Sequence, residues 1–142
     1  MHLQFSKIIV AKGNNLGDTI EALKGKRVVA ENGSTPIAIV KEAGTSGEII
    51  PIRSNEDVLK YVIDGRADCL VISKMAGAFF IANGYGNKVK FAGGHILCEN
   101  PLAIAVSKDN EKLVKELNEA LKQYRNSQEY DQLYKIYFGN FH

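Results

Sequence analysis

The chain has 142 residues, 45% of them hydrophobic and 24% charged, which suits one domain with a substantial core. Its 18 Lys and Arg are scattered among 16 Asp and Glu, so the formal net charge of +2 and the lack of a basic block argue against a nucleic-acid partner. No apolar run is long enough to cross a bilayer.

In chain order, KIIVA (Lys7 to Ala11) reads as a short strand and LGDTIEALKGK as a helical turn closed by Gly25. RVVAE (Arg27 to Glu31) is a β-branched run of strand length, and Pro36 to Ala43 is an apolar helix stopped by Gly44. EIIPIR is a second strand, whose Pro51 argues for an edge or an early position. Ser54 caps an amphipathic helix carrying Val58, Leu59, Val62 and Ile63 on one face, and Gly65 ends it.

ADCLVIS (Ala67 to Ser73) is apolar on both faces, as expected of a central strand in a parallel sheet. A short helix through Met75, Phe79 and Phe80 runs to Asn83-Gly84. KVKFA alternates like a half-exposed strand, and PLAIAV (Pro101 to Val106) reads as a buried one. Two helices finish the chain, Asn110 to Tyr124 with Leu113, Leu117 and Leu121 in register, and Gln128 to Phe138 capped by Ser127. The alternation predicts a three-layer α/β sandwich with a mostly parallel sheet, in which ligands sit beyond the carboxyl ends of the strands.

The stretch AENGSTPIAIV carries the local chemistry. A strand, a tight Gly turn and a helix start with two hydroxyls make both a cap and a small anion site. Thr35 is the expected N-cap and Pro36 the first helical residue, where no N–H is missed. The segments Asn32-Gly33-Ser34-Thr35 and Ser73-Lys74 both fall at strand ends and are expected to face one crevice.

Catalytic motifs are absent: there is no Walker loop, GxGxxG, HExxH or GxSxG. His2, His95 and His142 are too scattered to suggest a base or a metal site, and GYGNKVKFAGG follows a helix rather than opening one. Asp64 and Asp68 in DGRAD read as turn residues that Arg66 neutralises. Cys69 and Cys98 read as buried free thiols, or as a disulfide if the strands bring them together, and Tyr124, Tyr130, Tyr134 and Tyr137 as packing surface. No catalytic residue, metal or cofactor is expected.

The order of LKGKRVVAENGST, DGRAD and YDQLYKIYFG closely resembles the bacterial family 3 extracellular solute-binding proteins, from Lys7 to Gly139. The resemblance implies a type II periplasmic-binding-protein-like fold, a clamshell whose two lobes close on a solute about a hinge of crossing strands. Residues 7–106 then match the second lobe and 107–142 the C-terminal helices, with the first lobe largely missing and Met1 to Ser6 read as a remnant of it. Ligand-gated glutamate receptor cores are similar and carry Gly-Ser-Thr at this turn, where it binds a carboxylate; that role falls on Gly33, Ser34 and Thr35, with Glu31 and Asn32 just before. The family's amino-acid receptors place Asp or Glu at the position of Ser73, and a hydroxyl there does not neutralise an ammonium.

The resemblance therefore implies non-catalytic binding of a small polar, anionic or amino-acid-like solute, as part of an ABC importer receptor or a sensor. The ligand set is Glu31, Asn32, Gly33, Ser34, Thr35 and Ser73. It also implies a periplasmic or extracellular location, although MHLQFSKIIVAKG lacks the zones of a secretory signal; either the protein is cytoplasmic or a signal is missing from this chain. Other readings are a cytoplasmic effector-binding domain of a regulator, a dehydratase-like enzyme of the same fold, and a truncated lobe that binds nothing. The apolar C-terminal helices need cover, so a homo-oligomer or a missing first lobe is expected.

Overall fold

The computed structural model describes residues 2–44, 47–53, 55–95 and 97–140. Six strands form one sheet: β1 (His2–Ala11), β2 (Arg27–Glu31), β3 (Glu48–Ile52), β4 (Cys69–Ser73), β5 (Val89–Phe91) and β6 (Cys98–Leu102). The helices are α1 (Thr35–Ala43), α2 (Asn55–Ile63), α3 (Lys74–Phe80), α4 (Glu111–Arg125) and α5 (Gln128–Phe138), with a 3-10 turn at Ile20–Leu23. The expected cap Ser54 lies outside the described residues.

The strand order is β3-β2-β4-β1-β5, and β6 also pairs with β1. β2 runs parallel to both β3 and β4, whereas β1 is antiparallel to β4, β5 and β6. β4 is therefore central but joins a parallel half to an antiparallel one, so the sheet is mixed. Five strands point one way and β1 alone opposes them. β1 is also longer than KIIVA: Ile9, Val10 and Ala11 pair with β5, while His2 to Ser6 pair with β6 along the same edge. Pro51 sits in β3, an edge strand, where its missing N–H removes no ladder bond from a further neighbour.

Alternation along the central strands builds two cores. Ile8, Val10, Val28, Cys69 and Val71 face Val40 of α1 and Leu23. On the opposite face, Ile9, Val29, Leu70 and Ile72 pack on Val58, Leu59 and Val62 of α2, with Ala76 and Phe80 of α3 alongside. Helices thus cover both faces, making three layers. Burying each such Val, Ile or Leu stabilises the fold by roughly 1.5–3 kcal/mol. Gly77 lets α3 sit this low: a Cβ there would stand 2.8 Å from the Phe91 ring and 2.9 Å from Ile9.

PLAIAV is not a buried strand. The paired segment is Cys98–Leu102, held against His2 to Ser6, and beyond it Ile104 is 59% exposed in irregular chain. Pairing with β1 rather than hydrophobicity sets the strand. The C-terminal helices divide: α5 buries Tyr134 against α3, its Oη donating to Met75 Sδ at 3.7 Å, while α4 buries no residue. Leu133, Ile136 and Tyr137 remain exposed on α5. Among the described residues, no helix is long and apolar enough to cross a membrane.

Candidate functional site

β2 and β4 are adjacent and parallel, so their carboxyl ends, Glu31 and Ser73, lie side by side. The chain leaves β2 into α1 on one face of the sheet and leaves β4 into α3 on the other. Divergence of two helices from neighbouring parallel strands opens a crevice at their ends, the usual ligand position in α/β sheets.

The turn after β2 is closed by the Ser34 N–H donating to Glu31 O at 3.1 Å, and Gly33 adopts a φ of 76° that other residues avoid. Asn32 N–H donates to Ile52 O at 2.6 Å, tying the turn to β3. The N-cap of α1 is Ser34, not Thr35: its Oγ accepts from Ile37 N–H at 3.5 Å, and Thr35 is already the first helical residue. The two hydroxyls are adjacent in sequence, and the extended backbone of Ser34 decides which one caps. Ser73 does the same for α3, its Oγ accepting from Ala76 N–H at 3.3 Å.

Glu31, Ser34, Pro36, Ile72, Ser73 and Ala76 line a pocket of about 100 Å³ between the two helix starts. Three of the six residues expected from sequence, Glu31, Ser34 and Ser73, therefore share it. Asn32, Gly33 and Thr35 do not line it and are exposed on the turn beside it. Ser34 and Ser73 hydroxyls each accept a cap bond and retain a proton to donate. Pro36 carries no N–H, and the Thr35 N–H makes no hydrogen bond among the described residues. The start of α1 thus offers the Thr35 N–H and the Ser34 hydroxyl as donors, with the Glu31 side chain lining the pocket beside them.

Sequence reasoning missed Lys7. It lies on β1 opposite Ile72, one position from the Ser6–Ser73 pair, and is only 9% exposed. Its Nζ sits 5.1 Å from the centre of the Phe91 ring. Burial holds this ammonium below the usual lysine range, the Lys74 charge lowers it further, and Asp18 opposes both. A lysine opening an apolar strand was the available signal.

DGRAD is structural, and Arg66 approaches Asp64 at 3.8 Å as expected, while also lying 3.9 Å over the Tyr61 ring; Asp68 instead pairs with Arg27 at 2.8 Å. Both cysteines are free; Cys69 is buried, with its thiol pushed up to about 12 by burial, and Cys98 is half-buried. A larger cavity of about 350 Å³ lies between α3, α4 and α5, walled by Met75, Leu121, Tyr124, Tyr130, Tyr134 and Phe138. It offers an apolar wall with few converging polar groups, unlike the crevice.

Residues 3–140 match the family described as bacterial extracellular solute-binding proteins, family 3. The chain is 30% identical over 140 residues to the lysine/arginine/ornithine-binding periplasmic protein of Escherichia coli K12, covering 94% of this chain and 54% of that protein. It is 28% identical, with the same coverage, to the histidine-binding periplasmic protein of that strain. A glutamate-bound ligand-binding core from Nostoc punctiforme superposes with a TM-score of 0.77 at 27% identity, covering 96% of this chain and 62% of that one. The chain spans about half the length of the curated relatives it matches.

Proposed function

The chain belongs to the bacterial extracellular solute-binding proteins, family 3, and from that premise we propose that it is a non-catalytic binding module for a small polar, anionic or amino-acid-like solute. It would serve as part of an ABC importer receptor or a sensor, in the periplasm or outside the cell. The observation that carries this reading is the convergence of two serine-capped helix starts, at Ser34 and Ser73, on one pocket. The solute's acid group docks on the Ser34 hydroxyl in the pocket and reaches the Thr35 N–H at its rim, and Glu31, Asn32 and Gly33 shape the turn that presents them. Residues 7–106 act as the ligand lobe. The helices of 107–142 engage a first lobe or a second copy of the chain, because Leu113, Val114, Leu133 and Ile136 stay exposed.

A single lobe binds weakly, so the test is a titration with small carboxylic acids followed by backbone amide shifts. Shifts concentrated at residues 31–36 and 73–76 are expected; silence there with shifts elsewhere sinks the reading. Ser73→Asp, which keeps a good cap, is expected to improve binding of α-amino acids by supplying a partner for their ammonium. Light scattering reports whether a second copy covers the helices.

A further inference from the structure

Glu31 ends an apolar row with a charge. Side chains alternate along β2, so Glu31 shares the face of Val29, which packs with Leu70, Ile72 and α2. Its neighbours along that row are Ile52, in register on β3, and Ile72, two residues past the Leu70 that pairs with Val29. The side chain is half-buried and lines the pocket with Ser34, Ile72, Ser73 and Ala76. Among the described residues its carboxylate makes no hydrogen bond, and the ion pairs are Arg27–Asp68, Arg66–Asp64 and Lys112–Glu116. Neither Arg53, next to Ile52, nor Lys74, next to Ser73, therefore neutralises it by contact. An acid group docked at Ser34 meets the repulsion of this carboxylate unless the same solute brings a cation to it.

We propose that Glu31 is the residue that reads the charge of the solute. Its carboxylate takes an ammonium carried by the solute whose acid group docks at Ser34, and it excludes solutes that are only anionic. This rests on the solute-binding reading above and selects the amino-acid-like solute over the purely anionic one. A glutamate that serves only to favour the start of α1 would draw no distinction in ligand charge.

L-Alanine and L-lactate share a shape and differ in an ammonium against a hydroxyl. In amide-shift titrations of the whole chain, alanine is expected to bind about ten-fold tighter than lactate. Glu31→Gln keeps the shape, removes the charge, and is expected to bring that ratio to about one by weakening alanine and strengthening lactate. Glu31→Asp, with the charge on a shorter stem, is expected to keep part of the preference. Glu48→Gln, at the exposed opening of β3 and the far end of the sheet, is expected to leave the ratio unchanged. Equal affinities in the unmodified chain, a preference that survives Glu31→Gln, or an equal loss in Glu48→Gln each overturn the inference. If lactate still shifts residues 31–36 in those cases, the solute-binding reading stands; if neither compound shifts them, both fall.

Discussion

Arg27 closes three hydrogen bonds on the carboxylate of Asp68: its backbone N–H to Oδ2 at 2.8 Å, Nε to Oδ2 at 3.3 Å and Nη2 to Oδ1 at 2.8 Å. The pair joins the start of β2 to the residue before β4, at the end of the sheet opposite the crevice. The two strands that carry Ser34 and Ser73 are thus pinned at their far ends, leaving the near ends to diverge around the pocket. Nη1 also donates to Arg66 O at 3.0 Å, which fixes the turn after α2.

Asp68→Asn is expected to cost about 1–2 kcal/mol, the lower part of the range for charged hydrogen bonds because both side chains remain partly in water. The Arg27 guanidinium holds the Asp68 carboxyl below its ordinary value of 3.8. A carboxylate depressed on folding contributes stability that is present above the unfolded value and lost as pH falls through the folded one. The difference between wild type and variant in urea unfolding should therefore be full at neutral pH and shrink only as pH falls below 3.8 and through the depressed folded value. A difference that persists in acid would show that the effect is packing rather than the ion pair.

The caps give a second test, which separates adjacent hydroxyls. Ser34→Ala and Ser73→Ala are each expected to cost about 1 kcal/mol in urea unfolding, since each removes the acceptor for an early helix N–H. Thr35→Ala is expected to change stability by no more than about 0.5 kcal/mol, because Thr35 is exposed and its side chain caps nothing. Equal losses at Ser34 and Thr35 would mean that the cap is shared.

That one-residue shift shows where sequence stops being legible. β2 runs from Arg27 to Glu31 as its β-branched run indicates, and α4 and α5 begin at the caps Asn110 and Ser127. These elements carry their own start signals. The paired part of β6 does not: Cys98, Glu99 and Asn100 become strand because His2 to Ser6 lie beside them, whereas the more apolar Ala103 to Ala105 find no ladder. The orientation of β1 likewise depends on distant partners. The crevice could be placed from strand ends, and Ser34 and Ser73 with it. Burial of Lys7 could not, because it arises from Phe91, which reaches it only through the β1–β5 pairing.

The last prediction concerns the two C-terminal helices, which the structure treats unequally. α5 is anchored on the lobe: Tyr134 is 9% exposed and donates to Met75, and Asn83 Nδ2 donates to Tyr137 O at 3.2 Å. α4 has no buried residue, and its Leu113 and Val114 are 37% and 41% exposed. Helical stability in a protein comes mainly from packing an apolar face, so the unpacked helix should open far more often. Hydrogen exchange on the monomeric chain is therefore expected to be slower across α5 than across α4. Truncating Tyr134 to Ala removes the anchor at a cost of about 2–3 kcal/mol, less than for a fully enclosed aromatic, and should bring the α5 amides to the rate of α4. The sheet amides should stay protected, since both cores lie on the far side of the anchor. Equal exchange in the two helices of the unmodified chain would mean that α5 does not dock on α3 in solution, and slow exchange in both would mean that a partner covers α4.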